Sequence, residues 1–115
     1  MPRGLYRAGE LGGLSGEKFC EAVRAEGVGA CWPGANFPLH LHPVFQTADI
    51  FRMGKPTIIS FGQRDVRQGR GSLPVSERIR EIAFGAPAFK HDRPAFIKRY
   101  AQAFRKVIEQ ADKLK

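Results

Sequence analysis

Between residues 93 and 114, apolar side chains recur at helical spacing: Phe96, Ile97, Tyr100, Ala101, Phe104, Val107, Ile108 and Ala111. Positions three and four apart share one face of a helix, so the pattern predicts a long amphipathic helix with one broad apolar stripe. Asp92 is placed to cap its start. Lys98, Arg99, Arg105, Lys106 and Lys113 occupy the other face. Such a helix is stable only when a second layer covers its apolar side. The rest of a 115-residue chain must build that layer, which is expected to make one domain, residues 1–115, with a core that needs no staples.

The layer is readable in pieces. "LSGEKFCEAVRAEG" predicts a helix in which the Ser15 hydroxyl caps the first turn and Glu17 complements the helix dipole. Phe19, Ala22 and Val23 form its apolar face, and Gly27 offers a left-handed stop. Residues 28–32, "VGACW", read as a short buried strand. Residues 33–43, rich in Pro, Gly and Asn, read as loop. Residues 44–54 fit one or two helical turns, and "PTIISF" at 56–61 fits a short strand or an apolar loop. Residues 62–72, "GQRDVRQGRGS", read as a mobile surface loop. "LPVSERIREIAFG" predicts a helix with Pro74 near its first position, a stripe of Val75, Ile79, Ile82 and Ala83, and a stop at Gly85. Residues 86–89 read as a short extended piece. The expected fold class is α+β, with three helices packed on a small sheet of two or three short strands.

Charge narrows the choice of partners. The chain carries 19 Lys plus Arg against 11 Asp plus Glu, a net charge of +8, which favours an acidic ligand or partner. Arg64, Arg67 and Arg70 recur every three residues beside glycines and are the candidate contacts for an anionic partner such as a nucleic-acid phosphate. The aromatic residues are assigned mostly to the core and no nucleic-acid-reading motif is present, so a basic nucleic-acid-binding or other interaction module is the alternative reading. The N-terminal residues lack the apolar run of a signal peptide, and no apolar run approaches membrane length. A soluble, cytoplasmic protein is expected, without membrane association. Cys20 and Cys31 make neither a disulfide framework nor a zinc motif, and read as small buried residues of a reducing compartment.

"ANFPLHLHPVF", residues 35–45, is the segment where chemistry is worth seeking. On an extended chain His40 and His42 would point to the same side, as metal ligands could. A third and a fourth ligand are missing, since His91 lies far along the chain and no cysteine pair helps; no metal is expected. No G-x-S-x-G, no phosphate-cradling glycine loop and no close acidic pair appear, so the residues alone assign no catalytic group.

In order and spacing, several short motifs resemble one family. They are Glu26-Gly27-Val28 after the first helix, Pro38-Leu39-His40 with Pro43 and Phe45, Leu73-Pro74-Val75-Ser76-Glu77-Arg78 at a helix start, and Ala86-Pro87 before the closing helix. The chain resembles, over residues 11–114, the C-terminal small domain of the DegT/DnrJ/EryC1/StrS aminotransferases, pyridoxal-phosphate enzymes that aminate keto sugars and cyclitols. The resemblance implies the small-domain fold of a fold-type I aminotransferase, with residues 1–10 a truncated or replaced lead-in. It also implies that the loop bearing His40 approaches the mouth of the active site, which makes His40, and after it Asn36 and Phe37, the substrate-side candidates.

The family's Schiff-base lysine lies in a large domain with no counterpart here, and none of the seven lysines takes that role. No cofactor is therefore expected in this chain, although the full-length family uses pyridoxal phosphate. The expected function is that of an isolated aminotransferase small domain, non-catalytic alone. It would associate with itself as a homodimer or with a cofactor-binding large domain, because a domain shaped to pack on another exposes an apolar patch.

Overall fold

Arg3–Leu5 (β1) runs antiparallel to Ala83–Gly85 (β2), with Gly4 opposite Phe84 at the centre of the pair. Among the described residues the chain also forms four α-helices: Gly16–Ala25 (α1), Pro43–Gln46 (α2), Pro74–Ile82 (α3) and Pro94–Glu109 (α4). The computed structural model describes residues 2–56 and 62–115, and over these the protein is a small mixed α/β chain. It divides into two compact units, one of Met1–Ala35 with Glu81–Lys115 and one of Asn36–Arg80.

In the first unit α1 forms as its sequence demands. The Ser15 hydroxyl accepts from the Lys18 amide at 3.2 Å, and Gly27 takes the positive φ of +94° at which the helix stops. Phe19, Cys20 and Val23 face inward and join Tyr6, Leu14, Val28, Cys31, Ala103, Val107 and Ala111 in the core. Residues 28–32 are a turn, and not the strand expected. The amide of Val28 reaches back to the Val23 carbonyl at 3.2 Å, and that of Cys31 to the Val28 carbonyl at 3.3 Å. Val28 and Cys31 are then both buried at a spacing of three, which strand alternation does not allow. Extended pairing begins only at the bridge of Pro33 to Phe84, where Gly85 N–H meets the Trp32 carbonyl and Gly34 N–H the Ala83 carbonyl, each at 2.7 Å.

The lead-in supplies the second strand. Because β1 offers unpaired backbone groups, the chain leaves the helix at Ile82, whose carbonyl accepts from Tyr6 N–H at 2.6 Å, and Ala83 enters the sheet although the sequence places it on the α3 stripe. The ring of Phe84 stacks among Phe19 and Phe104 at centroid distances of 5.8 and 6.3 Å.

α4 is shorter and rotated relative to expectation. Arg93 is its cap residue and the Asp92 side chain makes no capping bond; after Glu109 a 3-10 turn, Ala111–Lys113, replaces further helix. Ala103, Val107 and Ala111 are buried, with Tyr100 and Phe104 beside them, whereas Phe96, Ile97, Ala101 and Ile108 lie exposed. A sheet of two short strands and one helix is too narrow to cover the whole stripe. An ion pair from Lys106 to Glu26, 2.7 Å, fastens α4 to the end of α1.

Cys20 and Cys31 are free and wholly buried, in keeping with the sequence reading. The Cys31 thiol beside it holds Cys20 below the ordinary thiol range, and the Cys20 thiol, together with burial, pushes Cys31 far up. Arg24 closes this corner, with its Nη1 on the Cys31 carbonyl at 2.7 Å and its guanidinium 4.1 Å from the centre of the Trp32 ring.

The second unit is built mainly of turns around α2 and the N-terminal part of α3. The segment 44–54, expected to hold one or two helical turns, contributes only the turn of α2. Of the segment 56–61, residues 57–61 lie outside the described residues. Among the described residues, no helix is long and apolar enough to cross a membrane.

Candidate functional site

Pro38 starts a 3-10 turn, Leu39–Leu41, and Pro43 follows at the first position of α2. The two histidines therefore do not sit on an extended chain, and they part company. His42 accepts from the Val44 amide through Nδ1 at 3.4 Å, capping α2. His40 turns instead to α3, where its Nε2 lies 3.0 Å from Oε1 of Glu77. The two side chains are 10% and 15% exposed, so the pair is mostly shielded from water.

Glu77 stands in the first turn of α3, and its carboxylate reaches back along the chain to accept from the amides of Gly71, at 2.8 and 3.0 Å, and Leu73, at 3.4 Å. These amides would otherwise be unpaired at a helix start, where negative charge is also favoured. The hydrogen bond from His40 is the largest influence holding the Glu77 carboxyl below its ordinary range; the two backbone amides assist and partial burial opposes. A carboxylate has only acceptors, so Nε2 of His40 carries the shared proton. On the neutral ring Nδ1 is then left as an acceptor, and it has no hydrogen-bond partner among the described residues.

Gln46 of α2 locks the turn that carries His40. Its side-chain amide donates to the carbonyls of His40 and Gln68. Arg67 in turn donates to the Gln46 carbonyl at 2.8 Å while gripping Asp65 through Nε and Nη2, and this grip holds the Asp65 carboxyl at about 2. A cleft of about 380 Å³ opens beside the network. Leu39, Phe45, Val66 and Leu73 supply its apolar wall, and His40, Gln46, Gln68 and Ser76 its polar groups. An apolar cavity of this size with a few polar groups is suited to a small organic ligand.

Of the substrate-side candidates, only His40 lines this cleft. Asn36 is exposed; Phe37 lies under the Arg80 guanidinium, 5.6 Å from the ring centre, and edge-on to His42. The three arginines form no common anion site, because Arg67 is turned back onto Asp65 and Gln46, while Arg64 and Arg70 remain exposed. Glu77, Gln46 and Ser76 are site residues that sequence reasoning missed. A signal for Glu77 was present in an acid placed just after a proline helix start, but nothing local ties it to a histidine 37 residues away. Among the described residues, no group of three or more His, Cys, Asp or Glu could hold a metal ion. Compared with protein-family models, curated proteins and solved structures, the chain matches none.

Proposed function

We propose that the chain is the small-domain half of a DegT/DnrJ/EryC1/StrS-type aminotransferase, inactive alone, which docks onto a cofactor-bearing half and presents the His40 cleft to its substrate. The observation that carries this reading is the 3.0 Å contact between His40 and Glu77. These residues come from "PLH" and "LPVSER", two separate segments on which the family resemblance rests, and the contact makes them one structural unit.

The cleft itself does not fit a pyridoxal phosphate site. No lysine lines it, so it cannot form the Schiff base, and the cofactor would be held wholly by the other half. The role left to this chain is to bind and orient: Nδ1 of His40 can accept from a hydroxyl or ammonium of the substrate, and the apolar wall can pack against its carbon skeleton. Docking is supported by the large side chains the second unit exposes, with Leu39 at 69%, Ile50 at 64% and Val75 at 81%. The nucleic-acid alternative draws less support, because the central arginine of its candidate patch is already engaged.

The test is reconstitution. Mixed with a separately prepared large domain of such an aminotransferase, the chain is expected to form a complex that aminates a keto sugar. His40→Ala is expected to raise KM while leaving the complex intact. A stoichiometric, borohydride-reducible pyridoxal phosphate adduct on the chain alone would overturn the reading.

A further inference from the structure

The sheet of the first unit is closed on one side and open on the other. Two antiparallel strands direct the backbone groups of alternate residues toward each other. Tyr6 N–H bonds the Ile82 carbonyl and Ala86 N–H the Pro2 carbonyl, so Pro2, Gly4 and Tyr6 face β2. The other edge of β2 is covered at Trp32 and Gly34. Arg3 and Leu5 point their N–H and C=O groups outward, where they have no backbone partner among the described residues. Leu5 is also 64% exposed, and beside it lies a cleft of about 370 Å³ walled by Leu11, Phe84, Phe104 and Ile108. An open edge next to exposed apolar surface is a template for another strand.

We propose that this edge binds β1 of a second copy of the chain, antiparallel, about a two-fold axis through Gly4. Register selects the occupant. With Arg3 opposite Leu5 of the second copy, all four outward groups on each strand find partners, since both residues present their backbones to that side. Charge and existing contacts select the same register. A shift of two residues one way sets Arg3 against Arg3, like charges directly across a sheet, and two the other way sets Arg3 against Arg7, whose carbonyl already accepts from Glu10 N–H and whose guanidinium is paired with the Glu10 carboxylate. Only the register centred on Gly4 avoids both. It also brings the two Leu5 side chains to diagonal positions, within reach of each other, and joins the sheets into one of four strands. The inference rests on the sheet alone and is independent of the aminotransferase reading.

Sedimentation equilibrium of the full chain tests it. A pairing of this size is weak, so the mass is expected to rise from 12.8 kDa toward twice that value as concentration climbs to about 1 mM. Leu5→Pro removes an outward donor that the monomer does not use, and should abolish the rise with the circular dichroism spectrum unchanged. Leu5→Lys, which faces Arg3 of the second copy, should do the same, whereas Leu5→Glu, which can pair with that Arg3, should keep or strengthen the dimer. A chain monomeric up to that concentration, or equal loss of the dimer in Leu5→Lys and Leu5→Glu, would overturn the proposal; the second result would mean that exposed apolar area alone drives association.

Discussion

The ring of Phe84 lies across Gly4, its partner in the sheet, so closely that a Cβ on Gly4 would overlap ring carbons. The ring cannot retreat, because Phe19 and Phe104 stand behind it. Gly4 is required here for the space it leaves, not for an unusual backbone angle. Gly4→Ala is therefore expected to destabilise the first unit by about 1–3 kcal/mol, as overpacking does. Thermal melting should register a fall of roughly 4 °C or more. Gly9→Ala, where a Cβ meets nothing within 4 Å, should leave the melt unchanged.

The Glu77 network makes the second unit sensitive to acid. The folded carboxyl titrates below its ordinary 4.5, so its contribution is complete above pH 4.5 and is lost as pH falls through the lower folded value. Protection of the Gly71 and Leu73 amides against hydrogen exchange, measured relative to their intrinsic rates, should fall over that window, because the carboxylate holds them. In Glu77→Gln, which keeps an acceptor oxygen but loses the charge, the protection of those amides should be lower and should show no acid step.

Arg67 and its neighbours separate a structural arginine from solvated ones. With Arg67 present, the Asp65 carboxyl should titrate at about 2 by NMR, and in Arg67→Gln it should return toward 3.8. The same substitution frees the Gln46 carbonyl and should loosen the turn bearing His40. Arg64→Gln and Arg70→Gln, at exposed positions, should change neither the Asp65 titration nor the stability.

The buried thiols give a test of the first unit's core. Cys20 and Cys31 are 0% exposed, so iodoacetamide should modify neither in the folded protein and both after denaturation. Modification of one thiol under native conditions would mean that the turn at Val28–Cys31 opens.

What could be read from the sequence is what is local. Ser15 and Gly27 bound α1 through bonds and angles that span a few residues, and both act as their types predict. Pro74 starts α3 for the same reason. The turn at Val28 and Cys31 is not legible locally, because a short apolar run suits a strand and a buried turn equally well. β1 gave no signal, since "RGL" is three residues around a glycine and becomes a strand only when β2 is there to pair with it.

The candidate site divides in the same way. The residues of "FPLHLHPVF" mark a place where something polar sits among prolines, and the periodicity between residues 93 and 114 requires an amphipathic helix. Which histidine matters was decided by the 3-10 turn that sends His40 to Glu77 and His42 to α2. How far the α4 stripe is buried was decided by the width of the layer beneath it, which leaves Ile97 and Ile108 in solvent. Composition and short-range spacing determine where helices begin and end, because those interactions close within a turn or two. Partners 37 residues apart, strand pairing and the burial of a given face depend on where the rest of the chain is placed, and only the tertiary structure supplies that.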